Sequence, residues 1–290
     1  MKAILLAAGQ SKRMAPLPDK NFLEVVGSPL IVHQIGQLKR CGFRDVVVVG
    51  GRHNVKELRR FAKNVVEQKK LEEGMAGAVL SAESALDGHD FLILSSNDIV
   101  EDFALRSLLK SKSTALLAKK VKSYFPGGYL KVDRRGYIEK IVEKPGAGKE
   151  PSDLVNIVAH LHREPKKLFE ALKKAEAGGD DRYEVALDSM ISAGVLLQAV
   201  SYDGMWQAVK YPWHLLEVWK LLMPKKSSGK ISKKAQIAKT ATVRGDVVIE
   251  DGVKIFDGAV VQGPAYIGKN AVIAMNALVR ESHISEGCVI

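Results

Sequence analysis

Gly9 ends an apolar run, Lys2 to Ala8, and is followed closely by Ser11, Lys12, Arg13 and then Lys20. A strand that gives way to a glycine-containing loop exposes backbone N–H groups, and such groups can wrap the phosphates of a nucleotide. Ala8, Gly9, Gln10, Ser11 and Lys12 are the candidates for that cradle. Arg13 offers a planar fork of donors suited to phosphate oxygens, and Lys20 a mobile point charge. By themselves these residues would also fit an ordinary strand–loop–helix connection with basic surface groups. A second candidate is Asp98, in Ser95-Ser96-Asn97-Asp98 after the run Phe91 to Leu94. A carboxylate at the end of a strand can hold Mg²⁺, which takes one or two carboxylates alongside phosphate oxygens. The structural alternative for Asp98 is an N-cap for the stretch after Ile99, a position that Asp and Asn favour.

These residues need a scaffold, and the pattern around them supplies one. Strand-like runs at Lys2–Ala8, Asp45–Val49, Val65–Val66 and Phe91–Leu94 alternate with helical stretches at Pro29–Arg40, Val55–Ala62 and Ala76–Ala85. Apolar strands alternating with helices predict an open, mostly parallel α/β sheet of the Rossmann-like kind, with ligands at the carboxyl ends of the strands. Thr114–Ala118, Gly128–Val132 and Tyr137–Val142 read as further strands, the last two joined as a hairpin through Asp133-Arg134-Arg135-Gly136. Pro165–Ala177, Glu184–Ser192 and Trp213–Leu222 read as helices, the last stopped by Pro224.

A polar stretch at 225–230 then marks a linker, and the pattern changes. Ile231, Ile237, Val243, Ile249, Ile255, Val261, Ile267, Ile273 and Val279 recur at every sixth position, and the step slips by one to Ile284 and Ile290. A sustained six-residue period predicts a hexapeptide β-helix, each hexad supplying one side of a triangular coil. The expected division is therefore 1–224, a linker at 225–230, and a repeat at 231–290 that stops without an evident cap. A cut chain, or a partner covering the open end, would both account for that.

The string Leu6-Ala7-Ala8-Gly9-Gln10-Ser11-Lys12-Arg13-Met14, then Asp19-Lys20, then Leu23-Glu24-Val25-Val26-Gly27-Ser28-Pro29-Leu30, resembles the signature of the sugar-1-phosphate nucleotidylyltransferases. That signature runs L-x-A-G-x-G-T-R-M, P-K-x-L-x-x-V-x-G-x-P-L. Ser11 stands for its second Gly, Lys12 for its Thr, and Asp19 for its Pro. The likeness covers this stretch tightly and the first 222 residues more loosely. It implies that Arg13 faces the leaving pyrophosphate, Lys20 the α-phosphate, and Asp98 a Mg²⁺ ion. Gln68 and Gly74 would contact the base, although a close-packed helix start explains them equally well. Gly128, Glu143 and Lys144, in a Glu-Lys-Pro match, would reach the sugar phosphate, with Asn156 and Glu184 at the sugar hydroxyls. Family members often carry a second metal ligand in a Trp-x-Asp pattern, and here Trp206-Gln207-Ala208 has none. The downstream Tyr211-Pro212-Trp213-His214 resembles archaeal-type members, and the hexads resemble the left-handed β-helix through which such proteins form trimers or dimers of such.

Composition narrows the partners. The net charge of +11 could serve nucleic acid, an anionic membrane or phosphorylated small molecules. Aromatics make up 6% and do not interleave with the basic residues, so a nucleic-acid groove is not expected. No window approaches a membrane span, and the two cysteines, Cys41 and Cys288, lack metal spacing, which fits a reducing cytoplasm. The expected substrates are a nucleoside triphosphate, UTP or dTTP by resemblance, and a glucose-type sugar-1-phosphate. Two alternatives stay open. One is a catalytically weakened regulatory or scaffold subunit; the other is the N-terminal part of a bifunctional nucleotidylyl/acyltransferase. The histidines offer no pairing that the sequence alone supports.

Overall fold

The computed structural model describes residues 1–176, 181–223 and 230–290. It divides into two compact units, Met1–Ala15 with Gln34–Ala208, and Pro16–His33 with Val209–Ile290. Packing thus cuts the chain after Ala208, and it assigns the Pro16–His33 segment to the same unit as the repeat. The expected linker lies outside the described residues except for Lys230, as does Pro224.

In the first unit, nine strands of the described residues form one sheet. Lys2–Leu6 lies between Asp45–Gly51 and Phe91–Ser95, parallel to both, and Asn64–Gln68 extends the parallel half. Ile4, Val47, Val49, Phe91 and Ile93 are fully or almost fully buried, as central strands covered on both faces require. The other half is antiparallel except at its edge, where Leu197–Ser201 runs parallel to Thr114–Lys120, so the sheet is mixed. Its axis is a strand absent from the sequence reading, Leu154–His162, which pairs with Phe91–Ser95, with Thr114–Lys120 and with Gly128–Val132. A register shift between Ile157 and His160 interrupts its regular pairing. The hairpin Gly128–Val132 to Ile138–Glu143 forms as expected, closed at Gly136 N–H to Asp133 O, 3.0 Å. The expected helix Ala76–Ala85 is instead Gly74–Ser81, a break at Ala82, and Glu83–Leu86.

In the second unit the hexads become three parallel sheets. Ile231, Ile249, Ile267 and Ile284 stack in one; Ile237, Ile255 and Ile273 in another; Val243, Val261 and Val279 in the third. One turn of the coil is thus three hexads, and the slipped step at Ile284 is absorbed without loss of register. From Ile237 to Ile284 the apolar position of each hexad points inward to a common core, while Ile231 and Ile290 at the two ends are exposed. This is the arrangement of a hexapeptide left-handed β-helix. Glu24–Val25 and Ser28–Pro29 form a hairpin whose two turn residues, Val26 and Gly27, both have positive φ, as a tight hairpin turn demands. His283 Nε2 accepts from Val26 N–H at 2.8 Å, while its ring stacks on Tyr266 at 4.8 Å between centroids.

Candidate active site

The first strand stops at Leu6, and its edges fix where the next residues go. Ala7 N–H donates to Val49 O at 2.8 Å, and Ser96 N–H donates to Leu6 O at 2.9 Å. The chain therefore leaves the sheet between the ends of its two parallel neighbours, the place where an open α/β sheet leaves room for a ligand. A cavity of about 400 Å³ opens there, lined by Ala8, Gly9, Gln10, Gln68, Gly74 and Asn97 among others. Five of the residues picked from the sequence for nucleotide binding thus meet in one cavity.

Beyond Gln10, Ser11 takes a left-handed conformation, φ 54° and ψ 23°, at the position where the signature has glycine. The turn puts a serine in a conformation that glycine adopts freely, at a cost of roughly 1–2 kcal/mol. Ser11 O then accepts from Met14 N–H at 2.8 Å, closing the short turn that carries Lys12 and Arg13, both exposed. Gln68 donates both to Gly74 O, 2.8 Å, and to Lys70 O, 3.0 Å, so its amide nitrogen clamps the loop before helix Gly74–Ser81. Gly74, at φ 56° and ψ −140°, occupies a region open in practice to glycine alone. Both residues line the cavity and both shape it. Lys20 belongs to the other unit. It lies 8% exposed on the turn Lys20–Phe22, whose N-cap Asp19 accepts from Asn21 N–H at 3.0 Å. The signature's missing proline is thus replaced by a residue that caps the turn.

Asp98 is not a helix cap. It opens the strand Asp98–Val100, and the following helix begins at Asp102 with Glu101 at its cap position. This strand pairs antiparallel with Trp206–Ala208. Gln34 Nε2 donates to Asp98 O at 3.2 Å and Gln37 Nε2 to Val100 O at 2.7 Å, which hold its backbone from one side. Asp98 Oδ1 accepts the indole N–H of Trp206 at 2.7 Å. Ala208 is the direct cross-strand partner of Asp98. The position where the family pattern would put a second carboxylate is therefore beside the first, and it carries a methyl group. Among the described residues no group of three or more His, Cys, Asp or Glu could hold a metal. One carboxylate, fixed by an indole donor, remains compatible with Mg²⁺, which draws its other ligands from phosphate and water.

A second corner forms on the antiparallel half. Gly128 pairs with Glu143, and a Cβ added at Gly128 would meet Glu143 Oε2 at 3.0 Å and Asn156 Cβ at 3.6 Å. The absence of a side chain there leaves both polar groups reachable. Lys144, at φ 45°, turns its ammonium back to Glu143 Oε1 at 3.0 Å and donates its N–H to Gly127 O at 3.1 Å. Glu184 lies half-buried on the first turn of helix Arg182–Ser192. Behind Asn156 lies a group the sequence did not single out. Asn156 Oδ1 contacts His160 Nε2 at 2.8 Å, His160 Nδ1 contacts Tyr183 Oη at 2.9 Å, and Tyr183 Oη contacts His162 Nε2 at 2.9 Å. All three rings are fully buried. Burial, and after it the competition with His162 for a proton, holds His160 well below the usual histidine range, and burial pulls His162 down to about 3. The signal in the sequence was the His-x-His spacing, which on a strand points both rings the same way. Trp206 was read only as a landmark, not as a partner of Asp98.

Comparison with known proteins fits this geometry. The family model described as MobA-like NTP transferase domain matches residues 3–147, half of the chain. The chain belongs to that family. A bacterial transferase hexapeptide model, six repeats, matches residues 246–281 of this MobA-like protein. It is similar to a bifunctional sugar-1-phosphate nucleotidylyltransferase/acetyltransferase of Sulfurisphaera tokodaii, 28% identical over 75% of this chain and 54% of the relative. The chain thus spans about half the length of that relative. It is also similar to the UTP–glucose-1-phosphate uridylyltransferase AglF of Haloferax volcanii, 27% identical over 73% of this chain and 92% of the relative. Among solved structures, apo UDP-glucose pyrophosphorylase aligns with a TM-score of 0.65 at 19% identity, over 76% of this chain and 97% of that one, a likeness of fold. No helix of the described residues is long and apolar enough to cross a membrane.

Proposed function

We propose that the protein is a sugar-1-phosphate nucleotidylyltransferase, converting a nucleoside triphosphate and a sugar-1-phosphate into a nucleotide sugar and pyrophosphate. The observation that carries this reading is the meeting of Ala8, Gly9 and Gln10 with Gln68 and Gly74 around one cavity, at the strand ends from which Asp98 follows. An oxygen of the sugar phosphate attacks the α-phosphorus in line, and the bond to pyrophosphate breaks on the opposite side. The attacking group is already anionic, so no protein nucleophile is needed, and positioning with charge neutralisation carries the rate. The backbone N–H groups of the Ala8–Lys12 loop bind the phosphates, and Arg13 meets the departing charge. Lys20 takes the α-phosphate role on the strength of the signature. Mg²⁺ on Asp98 would supply further neutralisation of phosphate charge. Gly128, Glu143, Lys144, Asn156 and Glu184 form the sugar-phosphate end. The name of the Haloferax relative favours UTP and a glucose-type phosphate, with dTTP the other base that the signature's resemblance suggests.

Ala208 favours a second reading, a weakened subunit that binds nucleotide sugar and assembles through its β-helix. The Sulfurisphaera relative's name supports a third, in which this chain corresponds to part of a bifunctional enzyme. We also take residues 1–224 as the transferase domain and 231–290 as the assembling repeat, in a cytoplasmic homo-oligomer. Pyrophosphate release against a panel of nucleoside triphosphates and sugar-1-phosphates, with Mg²⁺, tests the first reading. Turnover is expected for the wild type and a fall of about 10²- to 10³-fold for Asp98→Ala. Binding of a nucleotide sugar without any pyrophosphate release would establish the second reading, and undiminished turnover in Asp98→Ala would refute the role given to that carboxylate.

A further inference from the structure

The chain of hydrogen bonds behind Asn156 has a direction, and one unsatisfied atom decides it. A neutral histidine carries one N–H and one bare nitrogen, and a tyrosine hydroxyl has a single hydrogen to give. Two arrangements place the tyrosine hydrogen on a ring nitrogen; a third, with both rings donating to Oη, would strand that hydrogen in the core. In the first, His162 Nε2–H donates to Tyr183 Oη, the tyrosine hydroxyl donates to His160 Nδ1, and His160 Nε2–H donates to Asn156 Oδ1. In the second, every bond reverses and Asn156 turns its amide over. The two differ at the blind end of the chain. His162 Nδ1 is buried with no partner. The first arrangement leaves there a bare lone pair; the second leaves a buried N–H. Orphaned buried N–H groups are the rarer of the two.

We propose that His162, Tyr183 and His160 form a one-way line of donors that holds Asn156 with its oxygen inward and its Nδ2 hydrogens toward the Gly128–Glu143 corner. Asn156 Nδ2 does lie on that side, 3.8 Å from where a Cβ on Gly128 would be. The site then presents a fixed donor, and it selects an oxygen acceptor, a hydroxyl or phosphate oxygen, on the ligand bound there. This rests on the reading of that corner as the sugar-phosphate end. His160, Tyr183 and His162 touch no ligand; they are positioning residues acting through Asn156. Two of them come from the Leu154–His162 strand and one from the helix Arg182–Ser192, so the line also ties that helix to the site.

Nitrogen-15 NMR of the histidine rings in the full-length protein at pH 7 reads the direction without any turnover. The proposal requires the Nε2–H tautomer at both His160 and His162; an Nδ1–H tautomer at either ring overturns it. Steady-state kinetics reads the consequence. Tyr183→Phe removes the relay, and is expected to raise the KM for sugar-1-phosphate about tenfold, the worth of one oriented hydrogen bond, with kcat and the KM for nucleoside triphosphate kept. Asn156→Asp retains an oxygen for His160 and replaces the outward donor by an acceptor, so it tests the same point should Tyr183→Phe fail to fold. It is expected to raise the sugar-1-phosphate KM at least as much. An unchanged KM in a folded variant overturns the proposal. Inertness of the wild-type protein toward every sugar phosphate would sink the functional reading instead, a different failure, since the ring tautomers do not depend on turnover.

Discussion

Two neutral histidines sealed inside the α/β unit make its stability depend on pH. In the unfolded chain each titrates near 6.5, while His162 is drawn down to about 3 by burial and His160 well below its usual value. A lowered histidine means that the unfolded state takes up the proton first as the pH falls. Stability is therefore intact above about pH 7 and is lost progressively from about 6.5 downward toward the folded-state values. Between pH 7 and pH 5 His162 costs about 2 kcal/mol, and His160 adds to the loss in the same direction. The informative perturbation is His162→Gln, whose amide can still donate to Tyr183 Oη in place of the ring. Whatever the substitution does to stability at pH 7, it removes one titrating group, so the drop between pH 7 and pH 5 should shrink by about 2 kcal/mol. Urea unfolding at the two pH values, followed by helical circular dichroism, measures it, because most helices of the described residues lie in this unit. A drop of the same size in wild type and variant would refute the assignment of a neutral, buried His162.

Three further outcomes follow from single positions. Ala208→Asp puts a second carboxylate directly across the ladder from Asp98, where Cβ atoms stand about 4.5–5.5 Å apart; without metal it should destabilise through like-charge repulsion, and added Mg²⁺ should raise the melting temperature more than in wild type. An equal Mg²⁺ shift in both proteins would count against a metal at this strand end. Gly74→Ala forces a side chain into φ 56° and ψ −140°, at a cost of about 1–3 kcal/mol, and should weaken nucleotide binding measured by calorimetry by loosening the loop that Gln68 clamps. Ile255→Ala empties a buried position of the coil and should lower its stability by about 2–5 kcal/mol in thermal unfolding, with the nucleotide affinity of the other unit unchanged.

The parts of the molecule legible from the sequence are those where a period or a short signature repeats one physical demand. The hexads were readable because the sixth residues from Ile237 to Ile284 meet the same buried core, and the stacking of Ile249 on Ile267 follows from that demand. The parallel half of the sheet was readable because Val47 to Val49 and Leu92 to Leu94 need cover on both faces. The strand Leu154–His162 was missed for the opposite reason. Its buried positions include Asn156, His160 and His162, and a polar residue inside a strand looks like a loop until its partner is known. That partner, Tyr183, lies more than twenty residues away on a helix.

Departures from the signature are of two kinds. Ser11 and Asp19 adopt backbone conformations open to the signature residues, Ser11 in the left-handed region that glycine favours and Asp19 at φ −52° within proline's range. They alter the residue and preserve the shape. Ala208 preserves the shape as well, since its strand pairs in register with Asp98, but it brings a methyl group where the signature has a carboxylate. Trp206 instead donates its indole N–H to the carboxylate that remains. A neutral donor at that distance steadies the charge of Asp98 and takes up one of its oxygens, so fewer lone pairs are left for a cation. The expected consequence is a site that holds Mg²⁺ weakly until phosphate oxygens arrive with the nucleotide. Metal titration by calorimetry should therefore give tighter binding in the presence of nucleoside triphosphate than the metal–nucleotide affinity alone accounts for. Tight Mg²⁺ binding to the protein by itself would contradict this reading of the Trp206–Asp98 pair.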